Sequence, residues 1–205
     1  MPDTADGSPV DFVTAGARRG RQRADAARNR ERVLAAAEEL FAELGVGAVT
    51  MDAVAARAGV GKGTLYRGFG DKGGLAVALL DARERELQER LLSGRKPFDR
   101  RTPPAHRLEA FVVAYLRLAV AQLDLLLMSE TNAPLARQST GVHGAWVLYC
   151  TSLLAEGGAP DPDLRAEALL AMLSAEQVAF WVRNEQRSLA DLERSLSTVA
   201  RLLCN

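Results

Sequence analysis

Residues 50–74, TMDAVAARAGVGKGTLYRGFGDKGG, contain two short stretches with helical apolar spacing, separated by a glycine-rich turn. The first stretch predicts a helix over 51–58, with one apolar face made of Met51, Val54, Ala55 and Ala58. Thr50 precedes this helix, where its hydroxyl can accept a hydrogen bond from a free backbone N–H group. Gly59 follows it and can adopt the left-handed conformation that ends a helix.

The second stretch predicts a helix from Lys62 to Phe69. Leu65 and Phe69 are four residues apart and lie on one side of it. The other side carries hydrogen-bond donors, namely Lys62, Thr64, Tyr66 and Arg67. Two short helices joined by a glycine turn, with donors facing outward from the second, are typical of a helix-turn-helix.

The glycines of residues 59–64, GVGKGT, superficially resemble a phosphate-binding loop. A Walker loop needs Ser or Thr directly after Gly-Lys, and here Gly63 intervenes. A dinucleotide-binding loop needs a third glycine where Thr64 stands, and a preceding strand rather than an alanine-rich helix. Both nucleotide-binding interpretations therefore fail.

The run from Thr50 to Lys72 resembles the DNA-binding signature of the TetR (tetracycline-repressor) family of transcriptional regulators. The matching positions are Thr50, Ala58-Gly59-Val60, Lys62 to Tyr66, Phe69 and Lys72, and the resemblance covers roughly residues 28–80. It implies a regulator, most often a repressor, that binds a palindromic double-stranded DNA operator as a homodimer. It also implies release from DNA by a small-molecule effector bound in the C-terminal domain.

The resemblance also implies which residues contact DNA, namely Thr50, Lys62, Gly63, Thr64, Tyr66 and Lys72. Among these we expect Thr50, Tyr66 and Lys72 to contact phosphates, which positions the domain. We expect Lys62, Thr64 and the neighbouring Arg67 to lie nearest the base edges. Two positions depart from the family pattern: Gly61 replaces a frequent Ser, and Gly68 replaces a frequent His or Tyr. Both predict fewer phosphate contacts.

Positive charge is concentrated upstream of this motif, although the chain has 26 basic and 26 acidic residues. Residues 18–32 contain seven arginines against Asp25 and Glu31, a local charge of +5. Such a segment beside a helix-turn-helix is expected to contact phosphates. The alternative is a general preference for arginine, since lysine occurs only at 62, 72 and 96. Residues 1–24 lack apolar periodicity and are predicted to be a mobile basic arm.

The remaining patterns predict an all-α chain. An N-terminal three-helix DNA-binding unit spans 25–74, and a helical effector-binding and dimerisation domain spans 75–205. The first helix is predicted over 25–44, with a buried face made of Leu34, Ala37, Leu40, Phe41 and Leu44. Later helices are predicted over 75–92, 105–128, 142–154, 163–185 and 189–203. On the exposed face of the first of these, the i, i+4 spacing places opposite charges at Arg85 and Glu89 and at Glu86 and Arg90.

The last predicted helix has apolar residues spaced 3, 4, 3 and 4 apart, namely Leu189, Leu192, Leu196, Val199 and Leu203. This seam is typical of helices that pack side by side, which favours a dimer interface. The resemblance implies the same, because the last two long helices of the family form the homodimer. An ordinary helix facing the core of a monomer is the alternative.

An effector pocket is predicted among aromatic and polar residues of the C-terminal domain. His143, Trp146, Tyr149 and Cys150 lie on one side of a helix, and neighbouring helices can face them with Phe111, Tyr115, Gln177 and Trp181. Aromatic rings with a few polar groups suit a largely apolar ligand. The same side chains can equally form an ordinary core.

Nothing in the sequence indicates catalysis. Only two histidines occur, and neither a nucleophile-elbow nor a zinc-protease motif is present. His143 and Cys150 lack further ligands at recognisable spacing, so neither a metal nor another cofactor is expected. The alternative to a regulator is a helical small-molecule-binding or enzymatic protein with an incidental helix-turn-helix. Two cysteines without disulfide spacing, and no apolar run of membrane-spanning length, predict a cytoplasmic protein without a membrane partner.

Overall fold

A computed structural model describes residues 10–130 and 141–205, with the side chains of 21–128 and 142–205. These residues form helices and loops and no strand, which confirms the all-α prediction. The chain divides into two compact units after Lys72. Within the described ranges, no helix is long and apolar enough to span a membrane.

The first unit contains helices α1 (Val10–Leu44), α2 (Met51–Ala58) and α3 (Lys62–Phe69). Both α2 and α3 begin and end as predicted. By contrast, α1 begins at Val10, and the predicted start at residue 25 is wrong. Residues 15–23 are mostly alanine, arginine and glutamine, which have high helix propensity and continue the helix without an apolar period. Residues 1–9 of the predicted arm lie outside the described residues.

Helix α1 packs against α2, and α2 packs against α3. The buried side chains of α1 are Val33, Ala36, Ala37, Leu40 and Phe41. Leu44, which was predicted to be buried, is 56% exposed, and Leu34 is half-buried. The predicted face was therefore right for Ala37, Leu40 and Phe41, whereas Leu44 is exposed because it is the last residue of α1, and Leu34 lies at the edge of the face.

The second unit begins within α4 (Lys72–Leu92) and continues with α5 (Pro104–Ala121), α6 (Leu123–Glu130), α7 (Gly141–Glu156) and α8 (Pro162–Met172). Then follow α9 (Ala175–Ala179), a π-helical turn (Phe180–Asn184) and α10 (Leu189–Leu203). Helix α5 packs against α6, α7, α9 and α10, and α8 packs against α7. The core of this unit therefore surrounds α5.

Two long predicted helices are interrupted. Gln122, with φ −115° and ψ 23°, separates α5 from α6 where a single helix was predicted over 105–128. Ser174 separates α8 from α9 within the predicted helix 163–185, and its Oγ accepts a hydrogen bond from the N–H of Gln177 at 3.4 Å. Serine at this position caps a new helix instead of continuing the old one.

Candidate nucleic-acid interface

Helix α3 is held to its unit by Leu65, which is buried, while most of its other side chains face solvent. The α3 surface consists of the exposed residues Lys62, Gly63, Thr64, Tyr66 and Arg67. These include every residue of α3 that was predicted to contact DNA. Tyr66 is 47% exposed although its ring is largely apolar. The α3 surface thus presents hydroxyl, ammonium and guanidinium donors on one side of a short helix.

The ends of α2 have the predicted geometry. The Thr50 Oγ1 accepts a hydrogen bond from the N–H of Ala53 at 3.2 Å. Gly59 ends the helix in the left-handed conformation, with φ 62° and ψ 40°. At the start of α3, Gly61 occupies the capping position and makes no side-chain hydrogen bond. Gly61 therefore leaves the first N–H groups of α3 without the serine cap that is frequent in the family.

Lys62 has an acidic neighbour within its own unit. Its Nζ lies 2.6 Å from Asp52 Oδ2 on α2, and both side chains are more than half exposed. The hydrogen bond to Asp52 raises the pKa of the Lys62 ammonium above its ordinary value. To contact a base, Lys62 must either turn away from Asp52 or use one N–H group for Asp52 and another for the base.

Lys72 contacts backbone, which differs from its predicted role at a phosphate. Its Nζ donates hydrogen bonds to the carbonyl oxygens of Val46 at 3.0 Å, Gly47 at 3.0 Å and Val49 at 3.1 Å. An ammonium has three protons, so these acceptors use all of them. Lys72 therefore fastens the first residue of α4 to the loop between α1 and α2.

Arg32 is also engaged inside the unit. From α1 its guanidinium donates to the carbonyl of Ala58 and, at 3.1 Å, to that of Gly59. A Cβ at Gly59 would lie 2.7 Å from Arg32 Nη2, which is too close. The φ angle of Gly59 is also positive, so both the space and the backbone conformation favour glycine here. Arg32 donates hydrogen bonds to carbonyls at the end of α2, and its positive charge stabilises the negative, C-terminal end of this helix.

The other described arginines of the basic segment fall into two groups. Arg28 pairs with Asp25, and the Arg30 guanidinium lies 5.0 Å from the centre of the Phe69 ring on α3. Arg21 and Arg23 are exposed and make no ion pair with any side chain between 21 and 128 or between 142 and 205. The side chains of Arg18 and Arg19 lie outside the described residues. Arg21 and Arg23 thus remain available to a phosphate.

Arg57 was missed by the sequence analysis. From α2 it forms a bidentate pair with Glu43 of α1, at 3.0 and 2.9 Å, and a further bond to Glu39 at 3.2 Å. The hydrogen bond from Arg57 lowers the pKa of the Glu43 carboxyl. No local rule could find this pairing, because it joins different helices at separations of 14 and 18 residues.

In the second unit, four of the predicted effector-binding residues form a cluster of rings. They are Phe111 and Tyr115 on α5 and Trp146 and Tyr149 on α7, with centroid distances of 5.5 to 6.0 Å. We call them the aromatic cluster. Three of its rings are buried, and only Tyr149 is partly exposed. Cys150 is fully buried on the same helix, and burial raises the pKa of its thiol.

Two polar atoms of the aromatic cluster lack partners. Trp146 Nε1 and the Tyr149 hydroxyl are buried and make no hydrogen bond in the described part of the chain. Burial raises the pKa of Tyr149 to about 12. Of the other predicted residues, His143 lies half-buried on α7, and Gln177 and Trp181 are half-buried on α9 and the π-helical turn. No ring contact among the described residues joins Trp181 to the cluster.

Metal ligands are sparse. Within residues 10–130 and 141–205, no group of three or more His, Cys, Asp or Glu side chains could hold a metal ion.

The predicted seam of α10 lies largely inside its own chain. Leu192 and Leu196 are 1% and 4% exposed, because α10 packs on α5. Glu193 pairs with Arg117 at 2.6 Å, and Arg201 pairs with Glu109 at 3.0 Å, on the same interface. The prediction that these two leucines meet a second copy therefore needs correction. Leu189, Val199 and Leu203 remain partly accessible.

Comparison with known proteins places the first unit in a family. Residues 33–79 match the family model described as "Bacterial regulatory proteins, tetR family". This stretch contains α2, α3 and the capping residues described above. This part of the chain is therefore similar to the DNA-binding domain of the TetR family.

Two curated relatives are similar to part of the chain. The HTH-type transcriptional repressor BepR of Brucella suis is 39% identical over 98 residues, which is 48% of this chain and 46% of BepR. An HTH-type transcriptional regulator of Staphylococcus aureus is 47% identical over 58 residues, 28% of this chain and 31% of that protein. The chain therefore spans less than half the length of these curated relatives.

The likeness of fold to a solved structure extends over most of the chain. A TetR/AcrR-family regulator of Thermobifida fusca superimposes with a TM-score of 0.63 at 23% identity, covering 84% of this chain and 96% of that one. At this identity the likeness concerns the fold alone. All three of these similar proteins are named as transcriptional regulators or repressors, and none is named as an enzyme.

Proposed function

We propose that this chain is a transcriptional repressor of the TetR family that places α3 in the major groove of an operator. The observation that carries the proposal is the α3 surface, where five adjacent positions face solvent around one buried leucine. A short exposed helix of this kind is what a helix-turn-helix inserts between phosphate backbones. The name of the relative BepR as a repressor supports repression.

Residues of the α3 surface have different proposed roles. Lys62, Thr64 and Arg67 contact base edges, where lysine and arginine favour guanine. Gly63 lets the backbone approach DNA closely, since nothing lies within 4 Å of a Cβ built there in the free chain. Tyr66 and Thr50 contact phosphates through their hydroxyls.

The phosphate contact predicted for Lys72 is assigned to other residues in this proposal. Because all three Lys72 protons are donated to carbonyls, this residue shapes the unit and does not contact DNA. Arg21 and Arg23 at the exposed part of α1 supply the electrostatic attraction instead.

We further propose a homodimer that uses α8 and α10. On α8, Leu164, Ala168 and Ala171 are exposed at i, i+4 and i+7, and Leu164 is 67% exposed. On α10, Val199 is partly exposed and Leu202 is 65% exposed. Apolar stripes on two neighbouring helices suit packing against a second copy about a two-fold axis. Such a dimer requires a palindromic operator.

The effector is a small, largely apolar molecule that binds at the aromatic cluster. The unpaired Trp146 N–H and Tyr149 hydroxyl support this, because an unsatisfied buried polar group costs about 1–3 kcal/mol. A ligand oxygen that accepts from Trp146 would remove that cost. Binding and DNA release are then linked, so that the effector favours a state that fits the operator poorly.

The test is a gel-shift titration of duplex DNA from upstream of the gene, with a scrambled duplex of equal length as competitor. Gly63→Ala and Gly68→Ala form a matched pair, because a Cβ at either glycine meets no heavy atom within 4 Å. Both should leave the fold intact, since alanine is the better helix former by about 1 kcal/mol. We expect Gly63→Ala alone to weaken operator binding. A chain that binds small apolar ligands but no duplex would instead be a helical binding protein with an incidental helix-turn-helix.

A further inference from the structure

A groove of about 440 Å³ lies on the outer side of α5. The last turns of α4 contribute Arg90, the following loop contributes Pro97 and Phe98, and α5 contributes His106, Glu109, Ala110, Val113, Ala114 and Arg117. We call it the α4–α5 groove. Its α5 residues recur at helical spacing on a face separate from that of Phe111 and Tyr115. The groove is therefore not the aromatic cluster.

The floor of the groove is apolar, and its small side chains leave open space above it. Phe98 is buried, and the exposed parts of Ala110, Val113 and Ala114 lie beside it. Small side chains on this turn of α5 leave the space open. An apolar ligand body placed there would cover partly exposed hydrocarbon.

The rim of the groove carries uncompensated positive charge. Two of its charged residues are already paired with α10: Glu109 with Arg201, and Arg117 with Glu193. Arg90 makes no ion pair in the described part of the chain. The i, i+4 spacing placed the opposite charge of Glu86 one turn before Arg90, but Glu86 accepts instead from Arg83 Nη1 at 2.9 Å. One exposed guanidinium therefore faces the groove without a carboxylate.

The loop that closes one side is held in place before any ligand binds. Asp99 Oδ1 accepts hydrogen bonds from the N–H groups of Arg101 and Thr102, both at 2.9 Å. The N–H of Phe98 donates to the Arg95 carbonyl at 2.8 Å. The groove is thus preformed, and little ordering of the chain opposes binding.

We propose that the α4–α5 groove binds a small amphipathic anion. Its apolar body lies on Phe98 and Val113, and its planar carboxylate accepts from the Arg90 guanidinium. Arginine matches a carboxylate in a bidentate geometry, which a lysine or a neutral donor does not reproduce. The site lies on a different face of α5 from the aromatic cluster, so it does not depend on the proposed effector.

The probe is octanoate, with octan-1-ol as the uncharged comparison. Calorimetric titration of the full chain should show saturable octanoate binding and much weaker binding of the alcohol. Arg90→Gln should weaken octanoate binding about tenfold, because a neutral amide replaces the charged, bidentate donor. The matched control is Arg85→Gln on the same helix, whose Nε donates to the Asp81 carbonyl at 2.9 Å. It should bind octanoate like the wild type.

Methyl and indole resonances locate the site. In protein labelled on alanine and valine methyl groups, octanoate should shift the signals of Ala110, Val113 and Ala114. The indole N–H of Trp146 should stay unchanged. Ala110→Leu, which fills the floor, should lower affinity while retaining the fold. Equal affinity of Arg90→Gln and Arg85→Gln, or shifts confined to Trp146, would overturn the proposal.

Discussion

The guanidinium of Arg32 lies 3.1 Å from the carbonyl oxygen of Gly59 and donates a hydrogen bond to it. This contact joins α1 to the residue that ends α2 and starts the turn before α3. A charged donor at the negative end of a helix stabilises that end. One arginine of the basic segment therefore maintains the helix-turn-helix and is not free to hold DNA.

Replacing Arg32 and Arg23 separates these two roles. Arg32→Ala should lower the free energy of unfolding by about 1–2 kcal/mol, since charged hydrogen bonds to carbonyls are lost. Arg23→Ala should leave unfolding unchanged, because Arg23 is exposed and has no ion-pair partner in the described residues. Its DNA affinity should fall, and the salt slope of binding should decrease by about one. Denaturant titration and salt-dependent anisotropy measure both; an unchanged slope for Arg23→Ala would contradict its assignment.

Replacing Lys72 should change the stability of the chain without changing its contacts with DNA. Lys72→Met removes three hydrogen bonds to carbonyls, so the midpoint of urea unfolding should fall. The salt slope of DNA binding should stay as in the wild type, because no phosphate contact is lost. Lys96→Met, at an exposed position in the α4–α5 loop, is the control and should change neither quantity. A stable Lys72→Met chain with a reduced slope would restore the phosphate contact.

The helix-turn-helix was predictable because its signals are local. Thr50, Gly59 and the apolar spacing of α2 each act within one or two helical turns, and the structure contains all of them. The roles of Arg32, Arg57 and Lys72 were not predictable, because each depends on a partner 14 to 26 residues away. A positive side chain near a DNA-binding motif can stabilise the fold or contact DNA, and which of the two it does depends on the groups that lie beside it in the structure.

The second unit was less predictable for the same reason. The bounds of α10 were correct, but its leucine spacing fits a partner helix in either the same chain or another copy. Ion pairs from Glu193 and Arg201 to α5 show that the same chain provides it. The predicted helix over 163–185 is interrupted because Ser174 caps α9, and the spacing of the alanines and leucines did not indicate this.

Substitutions on α10 distinguish core from interface. Leu196→Ala should destabilise the chain by about 2–5 kcal/mol, the usual cost of truncating a buried leucine. Leu202→Glu lies on the exposed side and should leave helicity unchanged while it converts the proposed dimer to monomer. Circular dichroism and light scattering report the two effects. If Leu202→Glu remained fully dimeric, the α8–α10 interface would be excluded.

Alkaline unfolding reports on Tyr149. Burial raises the pKa of this hydroxyl from 10.0 to about 12, so the folded chain keeps the proton that the unfolded chain releases. Its contribution to stability is complete below pH 10 and is lost as the pH rises towards 12. Tyr149→Phe should remove this part of the alkaline decline, whereas Tyr66→Phe, at an exposed position, should retain it. Urea unfolding across this range is the measurement, and identical curves for both variants would refute a buried hydroxyl at Tyr149.

The most direct measurement of DNA reading by α3 is selection and sequencing of bound duplexes by wild type, Arg67→Ala and Arg57→Ala. The wild type should enrich one palindromic sequence. Arg67→Ala should lose preference at one base pair of each half-site, with about 1–3 kcal/mol less discrimination there. Arg57→Ala, whose guanidinium is paired with Glu43 on α1, should enrich the wild-type sequence. No enriched sequence from the wild type, or an unchanged preference in Arg67→Ala, would contradict recognition by α3.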